Sequence, residues 1–193
     1  MSRPLFLASR SPRRAELLRQ LGFAFEVLDV EVDEVRDPRE SPAAYVGRVA
    51  REKAEAGRLQ VAGVPGAVVI GADTEVMLPD EVLGKPADAE AAGAMLRRLS
   101  DGPHQVLTVV WCMDAARAAC AESLSTVEFG PLDPATIAAY VASGEPFGKA
   151  GGYAIQGRAA AFVRRIDGSY PGVVGLPLFE TAALLRGFGV LAG

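Results

Sequence analysis

The 193-residue chain has little of the residue types that build covalent nucleophiles or zinc sites. It contains only two cysteines, Cys112 and Cys120, and one histidine, His104. With no secretion signal in the sequence, we expect the cysteines to be free, buried thiols rather than a disulfide or a metal site. His104 has no Cys or His neighbour, which argues against a zinc site and a Cys–His pair. If the protein is an enzyme, this composition favours direct attack by an activated water molecule over a mechanism with a covalent intermediate.

The chain also lacks a charge excess and long apolar runs. Its 20 basic and 24 acidic residues give a net charge of −4, and no block of one sign stands out. We therefore expect neither a nucleic-acid polymer nor a membrane surface as a partner. No apolar run is long enough for a signal peptide or a membrane span. These absences predict a cytoplasmic protein with a small ligand.

Half of the residues are apolar, so the chain can bury a sizeable core. We expect one domain over residues 1–193, with two lobes around a cleft as one arrangement. Strand and helix patterns alternate, which predicts an α/β fold. Strands are predicted at 5–8, 23–30, 67–70, 82–83, 105–113, 120–129 and 160–166, and helices at 13–21, 41–62, 89–99, 134–142 and from 176 onward.

The first predicted helix begins with two adjacent arginines. Ser11 is a typical N-cap and Pro12 a typical first helical residue. Arg13 and Arg14 are unusual there, because the helix N-terminus already carries a positive potential. A bound phosphate would supply the missing negative charge. The alternative is a pair of solvated arginines on a surface turn.

Lys53 falls on the inward face of the helix predicted over 41–62. It follows Val46 by seven residues and Val49 by four, which is the spacing of one helix face. One interpretation is a buried stem whose ammonium reaches water. The other is a contact with an anion in a cleft.

Asp73 follows the apolar strand predicted at 67–70. In α/β sheets, ligands bind beyond the carboxyl ends of strands. A carboxylate there costs free energy unless it is paired, bound to a metal or placed at a cleft, so Asp73 is a candidate functional residue.

Further charged residues complete a set that suits phosphoryl chemistry. Glu31, Asp33 and Glu34 place three carboxylates within four residues, as a metal loop or a solvated loop would. Lys85 lies in a rigid Gly-Lys-Pro turn, which suits a positioned cation, although a surface lysine is commoner. Several cations neutralise a polyphosphate, carboxylates hold Mg²⁺, and a carboxylate can orient or deprotonate water. The set comprises Arg13, Arg14, Lys53, Lys85, Glu34 and Asp73.

Five motifs, in order along nearly the whole chain, resemble those of the Maf septum-formation family. They are Leu7-Ala8-Ser9-Arg10-Ser11-Pro12-Arg13-Arg14, Gly71-Ala72-Asp73-Thr74, Gly84-Lys85-Pro86, Ala150-Gly151-Gly152-Tyr153-Ala154-Ile155-Gln156-Gly157 and Gly175-Leu176-Pro177. The resemblance implies an inosine-triphosphatase-like α/β fold, with a long twisted mixed sheet flanked by helices and two lobes around a cleft. It also implies a nucleoside triphosphate pyrophosphatase that uses a divalent metal, Mg²⁺ or Mn²⁺, and releases the monophosphate and pyrophosphate.

The resemblance also assigns roles by position. It makes Asp73 the proton acceptor and Glu34 a loop acid, and these two are the candidate metal ligands. The phosphate-side residues are Ser9, Arg13, Arg14, Lys53 and Lys85. Whether Asp73 is a base, a metal ligand or both stays open. Glu75 stands where the family usually has an apolar residue, and it would add a ligand or tune the basicity of Asp73.

Within the family that this chain resembles, the residues at the positions of Arg13, Thr74 and Gln156 vary with substrate preference. This combination resembles the family branch that acts on dTTP and UTP. The amide of Gln156 offers a donor and an acceptor, which can pair with two adjacent groups on a pyrimidine dione edge. We therefore expect hydrolysis of dTTP, UTP and some modified pyrimidine nucleotides.

Two other functions stay open at this point. One is a cell-division regulator that binds nucleotides without turnover. The other is a house-cleaning pyrophosphatase for modified purine nucleotides. In each case the expected partner is a small nucleoside triphosphate, and a homodimer stays open as the assembly.

Overall fold

A computed structural model describes residues 3–79 and 81–192 of the chain. Within these residues, seven strands form one mixed sheet in the order β2-β1-β3-β5-β6-β7, and β4 pairs with β3. β1 is parallel to β2 and β3, whereas β4 is antiparallel to β3 and β7 to β6. The predicted mixed α/β fold is confirmed. The elements in chain order are β1 (Leu5–Ala8), α1 (Pro12–Gln20), β2 (Glu26–Leu28), α2 (Pro42–Gln60), β3 (Val68–Leu78), β4 (Glu81–Leu83), α3 (Ala89–Leu99), β5 (Pro103–Met113), β6 (Ala118–Phe129), α4 (Pro134–Ala142), β7 (Val163–Asp167), α5 (Tyr170–Val174) and α6 (Leu178–Gly187).

Three predicted strands differ most from the structure. The strand predicted at 23–30 is shorter, because only Glu26–Leu28 form β2. β3 does not end at residue 70 but continues to Leu78, so Asp73 lies inside the strand. The extension pairs with β4, and this pairing is invisible in a local pattern. The strand predicted at 160–166 begins only at Val163, because residues Arg158–Phe162 form a short 3₁₀ helix. Its three consecutive alanines lack the β-branched or aromatic side chains that favour strands.

Serine side chains set the starts of α1 and α2. Ser11 accepts a hydrogen bond from the backbone N–H of Arg14 at 3.5 Å, and Ser41 accepts one from Ala44 at 3.1 Å. In each helix a proline follows the cap, where its missing N–H needs no partner. The Ser-Pro helix starts predicted from the sequence are confirmed.

The described residues form two compact units. The first unit runs up to Asp73 and also contains Thr108–Ser123 and the segment from Gly175 onward. The second unit contains Thr74–Leu107 and Leu124–Val174. That these units function as one domain stays a prediction.

In the first unit, α2 packs directly on β3 at Gly71. A Cβ atom at residue 71 would overlap the backbone nitrogen of Ala54 and lie 2.8 Å from the carbonyl oxygen of Ala50. Only glycine therefore allows the helix to lie this close to the strand. The close approach brings Lys53 of α2 beside Asp73, which follows Gly71 by two residues in β3. The fully buried residues on this face of α2 are Val46, Val49, Ala50 and Ala54.

In the second unit, aromatic rings surround His104. The imidazole is 2% exposed, and its Nε2 lies 2.9 Å from the hydroxyl of Tyr153. Phe129 packs edge-on against both rings, with centroids 4.9 Å apart in each pair. Burial lowers the pKa of His104 to about 4, so the imidazole is neutral near pH 7. It is a core residue of this unit.

The sequence predicts free, buried cysteines and no membrane-spanning helix, and the structure differs from this at one cysteine. Both cysteines are free; Cys112 is buried, and burial raises its pKa to about 12. Cys120 is exposed, so the prediction that both thiols are buried is wrong for this one. Among the described residues, none of the helices combines the length and apolar character needed to cross a membrane.

The contact at Gly71 predicts opposite effects for two glycine substitutions. Gly71→Ala should lower the free energy of unfolding by about 1–3 kcal/mol, because its methyl group meets helix backbone that cannot rotate away. Gly47→Ala in α2 is the matched control, because no atom lies within 4 Å of a Cβ there. Alanine should stabilise the helix at this position by up to about 1 kcal/mol.

Urea unfolding followed by circular dichroism measures both variants. A Gly71→Ala variant as stable as Gly47→Ala would contradict the close packing of α2 on β3.

Candidate active site

In the first unit, Lys53 connects two carboxylates. Its Nζ lies 2.8 Å from Oδ1 of Asp73 and 2.7 Å from Oε1 of Glu34. Lys53 and Asp73 are buried, with 9% and 6% of their surfaces exposed. The ammonium group of Lys53 therefore forms ion pairs with two carboxylates. The interpretation in which this group reaches water is wrong. Two carboxylates around one ammonium leave one net negative charge, which suits a proton acceptor or a cation ligand.

The loop that carries Glu34 is held against α2. The hydroxyl of Tyr45 donates to the backbone carbonyl of Glu34 at 2.7 Å. Arg48 forms an ion pair with Glu40 at 2.7 Å and donates to the carbonyl of Val35 at 3.0 Å. The same guanidinium holds the pKa of Glu40 below its usual range. These contacts hold the backbone at Glu34 and directly after it.

The acidic residues of this loop have different surroundings. Glu34 contacts Lys53, whereas Glu31 lies 3.7 Å from Arg10, with both side chains well exposed. Asp33 accepts a hydrogen bond from the backbone N–H of Val35 at 3.2 Å. Of the three carboxylates, Glu34 is therefore the one that joins the Lys53 and Asp73 pair.

The β1–α1 turn brings three predicted phosphate-side residues together. Ser9 is buried, and its Oγ accepts hydrogen bonds from the backbone N–H of Ser11 at 3.2 Å and from Arg14 Nη1 at 3.4 Å. Arg14 Nε also donates to the carbonyl of Gly175 at 2.9 Å. Arg13 is partly buried, and desolvation lowers the pKa of its guanidinium. A partly desolvated cation gains more from an anion than a solvated one does.

The strand register relates this turn to Asp73. β1 runs parallel to β3, with Ala8 opposite Gly71. Ser9 is therefore the first residue beyond the paired part of β1, beside the part of β3 that leads to Asp73. The first unit thus contains Ser9, Arg13, Arg14, Glu34, Lys53 and Asp73.

Thr74, Lys85 and Gln156 belong to the second unit. Thr74 is partly buried in β3, and Lys85 is exposed directly after β4. The turn Gly84-Lys85-Pro86 contacts the glycine-rich loop that carries Gln156. In this contact the N–H of Gly151 donates to the carbonyl of Gly84 at 3.1 Å. The structure therefore brings the loops of Lys85 and Gln156 together.

Glu75 is 8% exposed in β3. It follows Asp73 by two residues in an extended strand, so both lie on the same face of β3.

The carboxylates of this site are too few to hold a divalent metal without a further ligand. Across residues 3–79 and 81–192, no group of three or more His, Cys, Asp or Glu side chains is placed to hold one. Oδ2 of Asp73, however, is buried and has no hydrogen-bond partner in that part of the chain. Mg²⁺ commonly binds through one or two carboxylates together with substrate phosphates. Glu34 and Asp73 fit a metal that binds with a phosphate ligand, and they do not fit a metal held by protein alone.

Sequence reasoning did not identify Tyr45 and Arg48 as supports of the site. The spacing of Arg48 and Glu52 indicates an i,i+4 pair on a helix surface, and the structure contains this pair at 3.2 Å. Nothing in the sequence indicates that Arg48 also reaches the loop at Val35. That contact depends on how the loop folds back on α2.

The pairing of Lys53 predicts a large stability effect. Lys53→Met should lower the free energy of unfolding by about 3–5 kcal/mol, because it leaves the carboxylate of Asp73 buried without its counter-charge. Adding Asp73→Asn should recover a large part of this loss, since the neutral amide needs no counter-charge. Arg58→Met is a control on the same helix, because Arg58 forms only a partly exposed pair with Glu55 at 3.7 Å.

Chemical denaturation of the three variants and the unaltered protein checks this prediction. A Lys53→Met variant no less stable than Arg58→Met would contradict it.

Comparisons with known proteins agree on one family. The family model of Maf-like proteins matches residues 4–188. The chain is 57% identical over 187 residues to a protein of Xanthomonas euvesicatoria pv. vesicatoria named dTTP/UTP pyrophosphatase, covering 96% of this chain and 98% of the relative. It is 52% identical over 196 residues to a protein of the same name from Aromatoleum aromaticum, covering 96% and 95%.

Among solved structures, similarity is lower. The Ham1 protein of Staphylococcus aureus matches with a TM-score of 0.43 and 14% identity, over 65% of this chain and 71% of that one. Protein VC0702 from Vibrio cholerae matches with a TM-score of 0.38 and 13% identity, over 69% and 66%. The family match along nearly the whole chain, with relatives more than half identical over almost their full length, shows that this chain belongs to the Maf family.

Proposed function

We propose that this chain is a nucleoside triphosphate pyrophosphatase that hydrolyses dTTP and UTP to the monophosphate and pyrophosphate. The observation that carries the proposal is the buried carboxylate of Asp73, held by Lys53 with one oxygen left open, in a chain of the Maf family. Relatives 52–57% identical over nearly their whole length are named dTTP/UTP pyrophosphatase, which supports both the reaction and the substrates.

Asp73 accepts the proton of the attacking water in this proposal. Lys53 holds Oδ1, so the carboxylate cannot rotate freely and Oδ2 is presented in a fixed position. A buried carboxylate oxygen without a donor is costly, which favours a water molecule or a cation there. The water oxygen bonds to the α-phosphorus, the bond between that phosphorus and the bridging oxygen breaks, and pyrophosphate leaves.

The cations bind and orient the triphosphate. Arg13 and Arg14 lie at the N-terminus of α1, where the backbone amides add to the positive potential. Ser9 orients Arg14 through its hydroxyl and is itself a candidate phosphate donor. Lys53 and Lys85 are the remaining proposed phosphate contacts, and Lys53 shares its charge with the two carboxylates.

Glu34 and Asp73 are the residues that would hold a divalent metal, Mg²⁺ or Mn²⁺. When bound, such a metal neutralises charge on the phosphates and polarises the oxygens it contacts. Lys53 pairs with both carboxylates and so keeps them near each other when no metal is bound.

Gln156 selects the base, together with Thr74 and Arg13. Its side chain is exposed, so its amide can meet a ligand. A pyrimidine dione edge presents acceptor, donor and acceptor, and the amide can pair with two adjacent groups on it. The thymine methyl matters little, because one methyl is worth at most about 1–3 kcal/mol in a tight pocket. We place this activity in the cytoplasm.

A substrate panel tests the reaction and the base preference. With Mg²⁺, dTTP and UTP should turn over fastest, 5-methyl-UTP should be tolerated, and dCTP, GTP and ITP should be poor substrates. In ¹⁸O-water the label should appear in the monophosphate, because the water attacks the α-phosphorus.

The remaining outcomes separate the alternatives. Nucleotide binding without pyrophosphate release would favour a division regulator. Faster turnover of ITP than of dTTP and UTP would favour the house-cleaning function for purines.

Asp73→Asn should reduce kcat for dTTP by about 10²–10⁴-fold, the range for loss of a general base. Nucleotide binding should be largely retained, because the amide keeps the shape of the carboxylate. Asp133→Asn is the control, since Asp133 caps α4 at Thr136 and asparagine caps equally well. Single-turnover kinetics and equilibrium titration separate the two effects, and near-normal turnover by Asp73→Asn would rule out its role.

A further inference from the structure

Two side chains hold the backbone on both sides of Gln156. The N–H of Ala154 donates to the hydroxyl oxygen of Tyr140 at 2.9 Å. The N–H of Arg158 donates to the carboxylate of Glu145, at 3.0 Å to Oε2. The Glu145 carboxylate also acts electrostatically on the hydroxyl of Tyr140. These two hydrogen bonds, which we call the 154–158 clamp, hold two amides that lie two residues before and after Gln156.

The anchors of the clamp are themselves fixed. Tyr140 lies in α4, is 2% exposed and packs edge-on against Phe162 with a centroid distance of 5.1 Å. Burial raises its pKa to about 12, so the hydroxyl keeps its proton near neutral pH. Beyond the end of α4, the N–H of Glu145 donates to Ser143 Oγ at 3.3 Å, and Lys149 Nζ donates to the Glu145 carbonyl at 2.6 Å.

Gly157 makes the clamp sterically feasible. A Cβ atom at this position would overlap the carboxylate of Glu145. The N–H of Gly157 also donates to the carbonyl of Ala154 at 3.0 Å, which closes a tight turn between the two anchored amides. Within this turn Ile155 is buried and Gln156 is exposed, so the glutamine side chain projects from a backbone held at both ends.

We propose that Tyr140 and Glu145 are positioning residues for base selection, acting through the backbone that carries Gln156. This inference rests on the proposed function, in which Gln156 pairs with the base. Cytosine replaces one acceptor and one donor of the dione edge by a donor and an acceptor, so a glutamine amide that could flip and shift would accept both bases. Discrimination then depends on fixed groups. The clamp makes Gln156 such a group by holding the turn that carries it in one arrangement.

Tyr140→Phe removes one hydroxyl and keeps the ring. The ratio of kcat/KM for dTTP to that for dCTP should fall about three- to tenfold, as expected for one lost hydrogen bond. The fall should come from a higher KM for dTTP, with kcat close to normal. Amide hydrogen exchange at residues 154 and 158, measured by NMR, should accelerate, and this readout does not depend on turnover.

Tyr153→Phe is the matched control. It also removes a buried hydroxyl, but that hydroxyl bonds to His104 rather than to the turn. The control should leave the dTTP to dCTP ratio unchanged.

Glu145 gives an independent test if Tyr140→Phe fails to fold. Glu145→Ala should lower the same ratio, whereas Glu145→Gln keeps an acceptor oxygen and should retain most of it. In a Gln156→Ala background, Tyr140→Phe should change the ratio no further, because the clamp acts through Gln156.

An unchanged ratio in both Tyr140→Phe and Glu145→Ala would overturn the inference, as would an equal loss for dTTP and dCTP. A wild-type protein that hydrolyses neither dTTP nor UTP would overturn the proposed function and the inference together. That outcome is distinct from an active enzyme whose selectivity ignores the clamp.

Discussion

The direct contact between the backbone of α2 and Gly71 in β3 determines what the rest of the first unit can do. The helix lies on the strand without an intervening side chain, so residue 53 meets residue 73 in the buried interior. At that depth a lone charge is prohibitively costly, and the lysine and the aspartate are tolerated because they neutralise each other. The packing of α2 on β3 and the pairing of Lys53 with Asp73 therefore depend on each other. Neither charge is tolerated in the interior unless the helix lies where it brings the two residues together.

The first unit separates its charges along neighbouring strands. Two carboxylates share one ammonium at α2 and β3, which leaves that place anionic. Two arginines follow β1 at the start of α1, which makes the adjacent turn cationic. A nucleotide needs both kinds of environment, one for its phosphates and one for the water that attacks them. Parallel pairing of β1 with β3 supplies them side by side.

Features fixed by local chemistry could be predicted from the sequence. The Ser-Pro starts of α1 and α2 follow from capping, and the inward direction of Lys53 follows from helix periodicity. Features fixed by distant residues could not. The length of β3 depends on its pairing with β4, and the choice of Glu34 over Glu31 depends on which carboxylate the folded loop brings to Lys53. The hydrogen bond that the Ala154 N–H donates to the Tyr140 hydroxyl leaves no periodic signal in the sequence.

The buried imidazole of His104 couples folding to proton uptake. In the folded chain its pKa is about 4, whereas an imidazole in water has a pKa of 6.5. As the pH falls below about 6.5, His104 becomes protonated in the unfolded chain but stays neutral in the folded core. The folding equilibrium therefore shifts toward the unfolded chain. His104 contributes its full share of stability above a pH of about 6.5. That share declines as the pH falls toward the folded-state pKa of about 4. A residue with no part in the proposed chemistry thus makes the fold sensitive to mild acid.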